Sequence, residues 1–425
     1  MNFIFNYFKA KYICSARLCA VCFLNYILLV GITAQNTKES DFYTETNHLG
    51  VVKNFVNDYG GNGNDALDDS EKLQEAIDEL SSLKNGGKII FPSGTYYLAE
   101  IQLRSNVHLV IDRETTIIPV QRQNQKNYKI FQLDGQNEII KNVSIRGVGG
   151  AFKVDLRNLK NKNVGVFSCG NVENFLIANF HVLDDYTKFS AVTFGVSAFK
   201  GGYNYASRGV IKNASIKNAN YGYGLIQTQA ARDILFENIS GSGGVTLRFE
   251  TGYDKMNKLQ VGGVFNMVAR NVSCENGNAA LMISPHSMHN GSVNVDGVYA
   301  KNCGFAVRIE KGYVKKGLKS LNLVPGIYEP SEVKNVTAIY GNSAQLKSKH
   351  FKYMRCHLRN LITVDANHTL EKIYSGPSIA AVLNGAEGEG KGKFLVKVSN
   401  VSSSGFTEDQ KDILYEEDTY LCSEN

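Results

Sequence analysis

The most regular hydrophobic pattern in the chain centres on Gly243-Gly244-Val245-Thr246-Leu247-Arg248-Phe249-Glu250-Thr251-Gly252. A period of two places Leu247 and Phe249 on one face of a short strand and Arg248 and Glu250 on the other, and the glycines close it at both ends. The same design recurs in Gly224-Leu225-Ile226-Gln227-Thr228-Gln229, in Ala280-Leu281-Met282-Ile283-Ser284-Pro285-His286 and in Ala306-Val307-Arg308-Ile309-Glu310-Lys311. Stacked as rungs, these segments line one outer surface with Gln227, Glu250, His286 and Arg308 or Glu310. That surface is the candidate active site.

A second pattern runs beside the first. Apolar pairs ending in Asn recur at Ile177-Ala178-Asn179, Ile216-Lys217-Asn218, Phe236-Glu237-Asn238, Ser273-Cys274-Glu275-Asn276 and Tyr299-Ala300-Lys301-Asn302. Their uninterrupted spacing of roughly 20–26 residues, built from short strands and turns, is the signature of a parallel β-helix. No single coil can bury its own apolar face, so the coils stack at about 4.8 Å per rung. Asn at equivalent turns tolerates left-handed backbone angles and can bond to its neighbours in a ladder. The sequons at Asn142, Asn213, Asn238, Asn271 and Asn335 therefore read as structural turn residues rather than glycosylation signals.

Upstream, Leu73, Ala76, Ile77, Leu80 and Leu83 recur at helical spacing, with Asp68 as N-cap, Glu71 completing a capping box, and Gly86-Gly87 as the stop. This helix is expected to cover the open edge of the first coil, which would otherwise invite aggregation. Short β-rich runs follow at 88–98, 109–111 and 116–118. The fold expected is all-β: a parallel β-helix with an N-terminal capping helix. After Lys311 the repeats loosen. Segments near 251–266, 314–331, 342–355 and 370–393 read as loop excursions, with strands resuming at Val336–Ile339, Leu361–Val364 and Phe394–Val398.

Basic residues at 9–17 before the apolar run Leu18–Val30, with Ala34 beyond it, read as a secretory leader over 1–34. A polar linker over 35–50 and a single β-helix domain over 51–425 follow, and the protein is expected to be secreted. Removing Lys9, Lys11 and Arg17 with the leader lowers the formal net charge from +6 to +3, too little for a nucleic-acid-binding stripe. Beyond the leader Cys169, Cys274, Cys303, Cys356 and Cys422 remain, an odd set without CxxC spacing. Cys356 with Cys422 is the pair that would tie down the C-terminus, and the rest read as buried fillers. The chain has no Trp, so any sugar stacking falls to Tyr and Phe.

Glu250 is the strongest acid candidate, because it ends a strand whose neighbours are apolar or glycine and partial burial favours a general acid. The plain alternative is a surface Glu paired with Arg248 or Arg308. Gln227, about one coil earlier, could bond the carboxyl or a substrate oxygen. His286 could orient a water or bind a sugar. The guanidinium forks of Arg248 and Arg308 suit carboxylate or sulfate groups on an acidic polymer. No metal motif, P-loop, nucleophile elbow or dinucleotide fingerprint is present.

The block from Asp65 to Leu98, with Phe91-Pro92-Ser93-Gly94-Thr95-Tyr96, resembles the start of pectinase-type right-handed β-helix enzymes. The polygalacturonase branch is disfavoured, because its clustered Asp motifs are absent. From about 205 to 312 the chain resembles the iota-carrageenases, glycoside hydrolase family 82, in the order and spacing of Gln227, Glu250 and His286. The resemblance implies inverting hydrolysis of β-1,4 bonds in a sulfated galactan, with Glu250 as general acid and Arg248 and Arg308 on sulfates. It implies a sulfated polysaccharide as partner, no nucleic acid, no membrane after signal removal, a monomer and no required cofactor, although relatives of the fold often carry structural calcium. One position departs from the family pattern: where that pattern has an Asp base in Glu-x-Asp, this chain has Gly252. Asp254, His286 or Glu310 could take over. Two rungs, about 9.6 Å, would put Glu310 near the ~6.5–9.5 Å span of inverting pairs. A polysaccharide lyase and a non-catalytic glycan-binding β-helix are the alternative functions.

Overall fold

A computed structural model describes residues 37–46, 50–122, 125–364 and 373–422, so the expected leader lies outside the described residues. The chain divides into two compact units, Met1–Asp41 and Phe42–Asn425. In the first, the described residues form a 3-10 turn, Glu39–Asp41. The second is a right-handed parallel β-helix. Among the described residues its coils form a 14-stranded and a 10-stranded sheet, each built by parallel pairing between successive turns of the chain.

Register follows from burial. Ile226, Leu247, Leu281, Val307 and Val382 lie in line across the second sheet and are all fully buried. Thr228, Phe249, Ile283 and Ile309 form the parallel inward line two residues on. A one-residue slip would turn every one of these side chains to water. Aromatic rings reinforce the stack: Phe249 meets Phe236 edge-on at 5.8 Å, and Phe236 meets Phe194 at 6.0 Å.

The Asn residues serve as expected at turns, but in separate columns, Asn142 bonding to Asn106 and Asn174 in one of them. Asn179, Asn213, Asn238 and Asn271 all sit at positive φ and bond in sequence, Nδ2 to Oδ1, at 2.9, 3.1 and 2.9 Å. Asn276 and Asn302 belong to a different bend, where Asn302 donates to Asn276 at 2.6 Å. The long gap between Asn238 and Asn276 therefore combines a change of column with the excursion that follows Glu250.

The capping helix spans Ser70–Ser82 and buries Leu73, Ala76, Ile77 and Leu80 into the same core as Phe55, Ile89 and Leu109. Its N-cap is Asp69, one residue later than expected; Asp68 instead accepts a bond from the Ser70 amide at 2.9 Å. Leu83 closes the helix in extended geometry and is exposed.

Three further expectations change. Phe42 and Tyr43, read as linker, are buried against Leu176, Val210, Leu235 and Val268, because they are the apolar residues of an otherwise polar segment. Thr363–Val364 is not a rung; it pairs antiparallel in a small side sheet with Tyr374–Gly376. The rung is Val382–Asn384, inside the segment read as the 370–393 excursion, and it pairs with Val307–Ile309. Its short apolar run is hidden among Gly, Ser and Ala.

Among the described residues the excursions carry secondary structure of their own. The segment after Glu250 carries a helix, Asp254–Leu259. Residues 344–362 form a strand, Ala344–Leu346, and two 3-10 helices, Ser348–Tyr353 and Cys356–Leu361. Cys356 and Cys422 form a disulfide that ties this excursion to the C-terminal tail, whereas Cys169, Cys274 and Cys303 are free and buried. The Gln345 side chain accepts from the Gly244 amide at 2.7 Å and donates to the Ala219 carbonyl at 3.3 Å, which anchors the excursion beside the strand Val245–Glu250.

Breaking the ladder tests its contribution. Asn238→Ala, which loses both ladder bonds and strains the left-handed backbone, is expected to cost about 2 kcal/mol, and Asn238→Gly, which tolerates that backbone, about 1 kcal/mol. Denaturant midpoints of the two variants check the order.

Candidate active site

The outward faces of the same rungs line a groove of about 1100 Å³. Its walls include Lys162, Lys188, Arg248, Arg308, Lys315, Lys347 and Lys349 against Asp185, Glu250 and Glu310, so it is far more basic than the chain as a whole. Tyr186, Tyr221, Tyr223 and Tyr313 line it as well, supplying the flat rings that Trp does not. This is a surface for an anionic polymer.

Glu250 ends the strand Val245–Glu250, and its side chain is 15 % exposed. Gly243 and Gly244, both at positive φ, bring the chain tightly into that strand; a Cβ at Gly244 would lie 2.3 Å from the Tyr223 carbonyl oxygen. Three side chains aim donors at the carboxylate. Arg248 Nη2 pairs with Oε2 while its Nη1 donates to the Gly222 carbonyl. Gln227 Nε2 lies 3.5 Å from the same Oε2. His286 Nε2 lies 3.2 Å from Oε1 and 3.4 Å from the Tyr313 hydroxyl. Burial pushes the Glu250 carboxyl up, but Arg248, His286 and Arg308 together outweigh it and hold the carboxyl well below the usual carboxylate range.

Gln227 is the rung-mate of Arg248, not of Glu250, and reaches the carboxylate diagonally. His286 does not continue the outward row by parity either. The row after Glu250 runs through Ser284, while His286 lies beyond the strand with φ 49 and reaches in from that left-handed turn.

Glu310 completes the row. Ser284 is the register partner of Glu250 and its Oγ lies 3.4 Å from Glu310 Oε2. The Glu310 amide donates to Ile283 at 2.9 Å, so the two carboxylates stand two rungs apart. Burial raises the Glu310 carboxyl, but Arg308 and Lys349 more than offset this and it stays ionised. Lys349 Nζ is 2.6 Å and Arg308 Nη1 3.5 Å from Glu310 Oε1. Arg308, 5 % exposed, also donates to His350 Nε2 and Met282 Sδ, each at 2.8 Å.

Asp254 is not brought to this cluster. It sits in the first turn of the helix Asp254–Leu259, 57 % exposed, with Lys315 Nζ 2.7 Å away. Lys315 also donates to the Gly252 carbonyl at 2.5 Å. Gly252 itself has no room for a side chain, because a Cβ there would lie 2.6 Å from His286 Nε2. The space that an acidic residue at 252 would need is filled by the imidazole.

The sequence reading missed Tyr221, Tyr313, Lys315, Lys347, Lys349 and His350. All but Tyr221 come from the irregular segments after Lys311, where no period marks which side chain faces inward. Among the described residues no group of three or more His, Cys, Asp or Glu could hold a metal ion.

A parallel β-helix with a cationic, tyrosine-lined groove and a pair of partly buried carboxylates defines a polysaccharide-active protein. Comparison with known proteins narrows this. Residues 54–328 match the family described as rhamnogalacturonase A/epimerase, pectate lyase-like. An iota-carrageenase of Zobellia galactanivorans is 36% identical over 426 residues, 86% of each chain. One of Alteromonas macleodii is 32% identical over 433 residues, 88% of each chain. A solved iota-carrageenase complexed to iota-carrageenan fragments superposes with a TM-score of 0.87 at 31% identity, covering 92% of this chain and 97% of that one. The chain belongs to the iota-carrageenase family, on the pectate-lyase-like scaffold.

The crowding at Gly252 yields a prediction. Gly252→Ala should push His286 off Glu250 and lower kcat by about 10²-fold, the scale of an ångström-sized misplacement of catalytic groups. Steady-state kinetics beside a denaturation curve check that the loss is local.

Proposed function

We propose that this protein is a secreted endo-hydrolase that cleaves the β-1,4 linkages of iota-carrageenan with inversion, using Glu250 as general acid and Glu310 as general base. The observation that carries this reading is the pair of partly buried carboxylates two rungs apart in a cationic groove. Two rungs are about 9.6 Å, just beyond the ~6.5–9.5 Å separation that leaves room for a water in inverting glycosidases.

In the reaction, protonated Glu250 gives its proton to the glycosidic oxygen as the bond from that oxygen to the anomeric carbon breaks. A water attacks the same carbon from the opposite face, and ionised Glu310 takes one of its protons. The products are a reducing end of inverted configuration and a free hydroxyl on the leaving sugar. His286 and Gln227 orient the Glu250 carboxyl. Arg248 and Arg308 line the groove, and the planar guanidinium of Arg248 suits a sulfate ester, while Arg308 holds Glu310.

Glu310 stands in the row of Glu250 and Ser284, whereas Asp254 is 57 % exposed on the helix beyond it, which argues for Glu310 as base. The reading needs no cofactor and no second subunit. Among the described residues no helix is long and apolar enough to cross a membrane. The alternative of a binding-only β-helix rests on Gly252 alone, and Glu310 supplies the carboxylate that Gly252 lacks.

Glu250→Gln and Glu310→Gln should each lower kcat on iota-carrageenan by about 10²–10⁴-fold. A reducing-end assay measures this, with ultraviolet absorbance showing no unsaturated product. Full activity in Glu250→Gln would remove the acid assignment; full activity in Glu310→Gln would move the base to His286.

A further inference from the structure

A general acid must carry a proton, yet the donors and cations packed around Glu250 favour its anion. On its own strand Arg248 pairs with Oε2. From the preceding rung Gln227 offers an N–H, and from the turn after the following rung His286 Nε2 approaches Oε1. Beyond Ser284, which faces it from that following rung, the next strand carries Arg308 and Glu310, and Tyr313 contacts His286. A protonated Glu250 would turn its O–H toward donors. Something must change before it can act.

Arg248 is the group placed to change. Its two terminal nitrogens hold Glu250 and the Gly222 carbonyl, and its buried Nε has no protein partner. The groove it lines is built for a sulfated chain. A sulfate ester is a permanent anion and accepts a guanidinium through two oxygens, whereas a carboxylate can discharge by binding a proton. When two anions compete for one cation in a buried site, the one able to become neutral does so.

We infer that Arg248 is a substrate-released clamp. Before substrate binds, it holds Glu250 ionised; a sulfate ester then takes over its guanidinium, and Glu250 acquires from solvent the proton it will deliver. Arg308 cannot replace it, because Arg308 is engaged by Glu310, His350 and Met282. With Arg248 diverted, burial and the neighbouring charge of Glu310 both push Glu250 toward its neutral form. Sulfation thus becomes part of the catalytic machinery, and an unsulfated galactan is a poor substrate even where it binds. The inference rests on the reading of Glu250 as the acid.

The sign follows directly. Glu250 starts below the ordinary carboxylate range and rises when Arg248 leaves it, so at a pH between its free and bound values binding takes up a proton. The experiment is titration calorimetry of the whole protein with the limit oligosaccharides of its own iota-carrageenan digest, in buffers of different ionisation enthalpy. At about pH 6, above the usual Glu value, the expected uptake approaches about one proton per oligosaccharide bound. Glu250→Gln should bind with no uptake, and an unsulfated agarose oligosaccharide of equal length should cause none in the unaltered protein. Buffer-independent enthalpy would overturn the clamp, and so would uptake that persists in Glu250→Gln, which would place the proton on His286. Hydrolysis retained by Glu250→Gln would instead remove the acid reading, whatever the calorimetry shows.

Discussion

Everything in the site depends on the register of the parallel rungs around Val245–Glu250. Backbone pairing fixes the spacing between coils, and inward Leu247 and Phe249 fix which residues are left outside. Glu250, Ser284 and Glu310 form a row only because Ile226, Leu247, Leu281 and Val307 form one on the other side of the sheet. The catalytic separation is therefore a property of the core. Side-chain rotamers adjust it, but they do not set it.

On that scaffold the groove gathers more positive charge than its carboxylates neutralise. Burying ions is costly unless each is paired, and here the pairing is shared: Arg248 with Glu250, Arg308 and Lys349 with Glu310. The net positive charge of the groove suits the anions of a sulfated chain. The wall carrying Lys347, Lys349 and His350 is held against the rungs by Gln345 and tied to the tail by the Cys356–Cys422 disulfide. Packing, covalent anchoring and charge thus converge on one groove floor.

Much of this was legible in the sequence, for a physical reason. Period-two alternation identifies Gln227, Arg248, Glu250, Arg308 and Glu310 as outward, because each follows or precedes a residue that must be buried. The Asn turns announce themselves because few other residues accept their backbone angle. What stayed hidden obeys no period. His286 reaches the site through a left-handed turn, Lys315 and Tyr313 through an irregular excursion, and the rung Val382–Asn384 through a run too short to stand out. The crowding of Gly252 by His286 is a through-space fact, and residue spacing cannot express it.

The central claim is that two carboxylates two rungs apart invert the anomeric carbon they flank. Proton NMR of iota-carrageenan in the first minutes of digestion tests it most directly, before the new reducing ends mutarotate. Cleavage of a β-linkage by Glu250 and Glu310 acting on opposite faces predicts that the α-anomer appears first and the β-anomer only later. A β-anomer appearing first, or an unsaturated end in place of either, would contradict it.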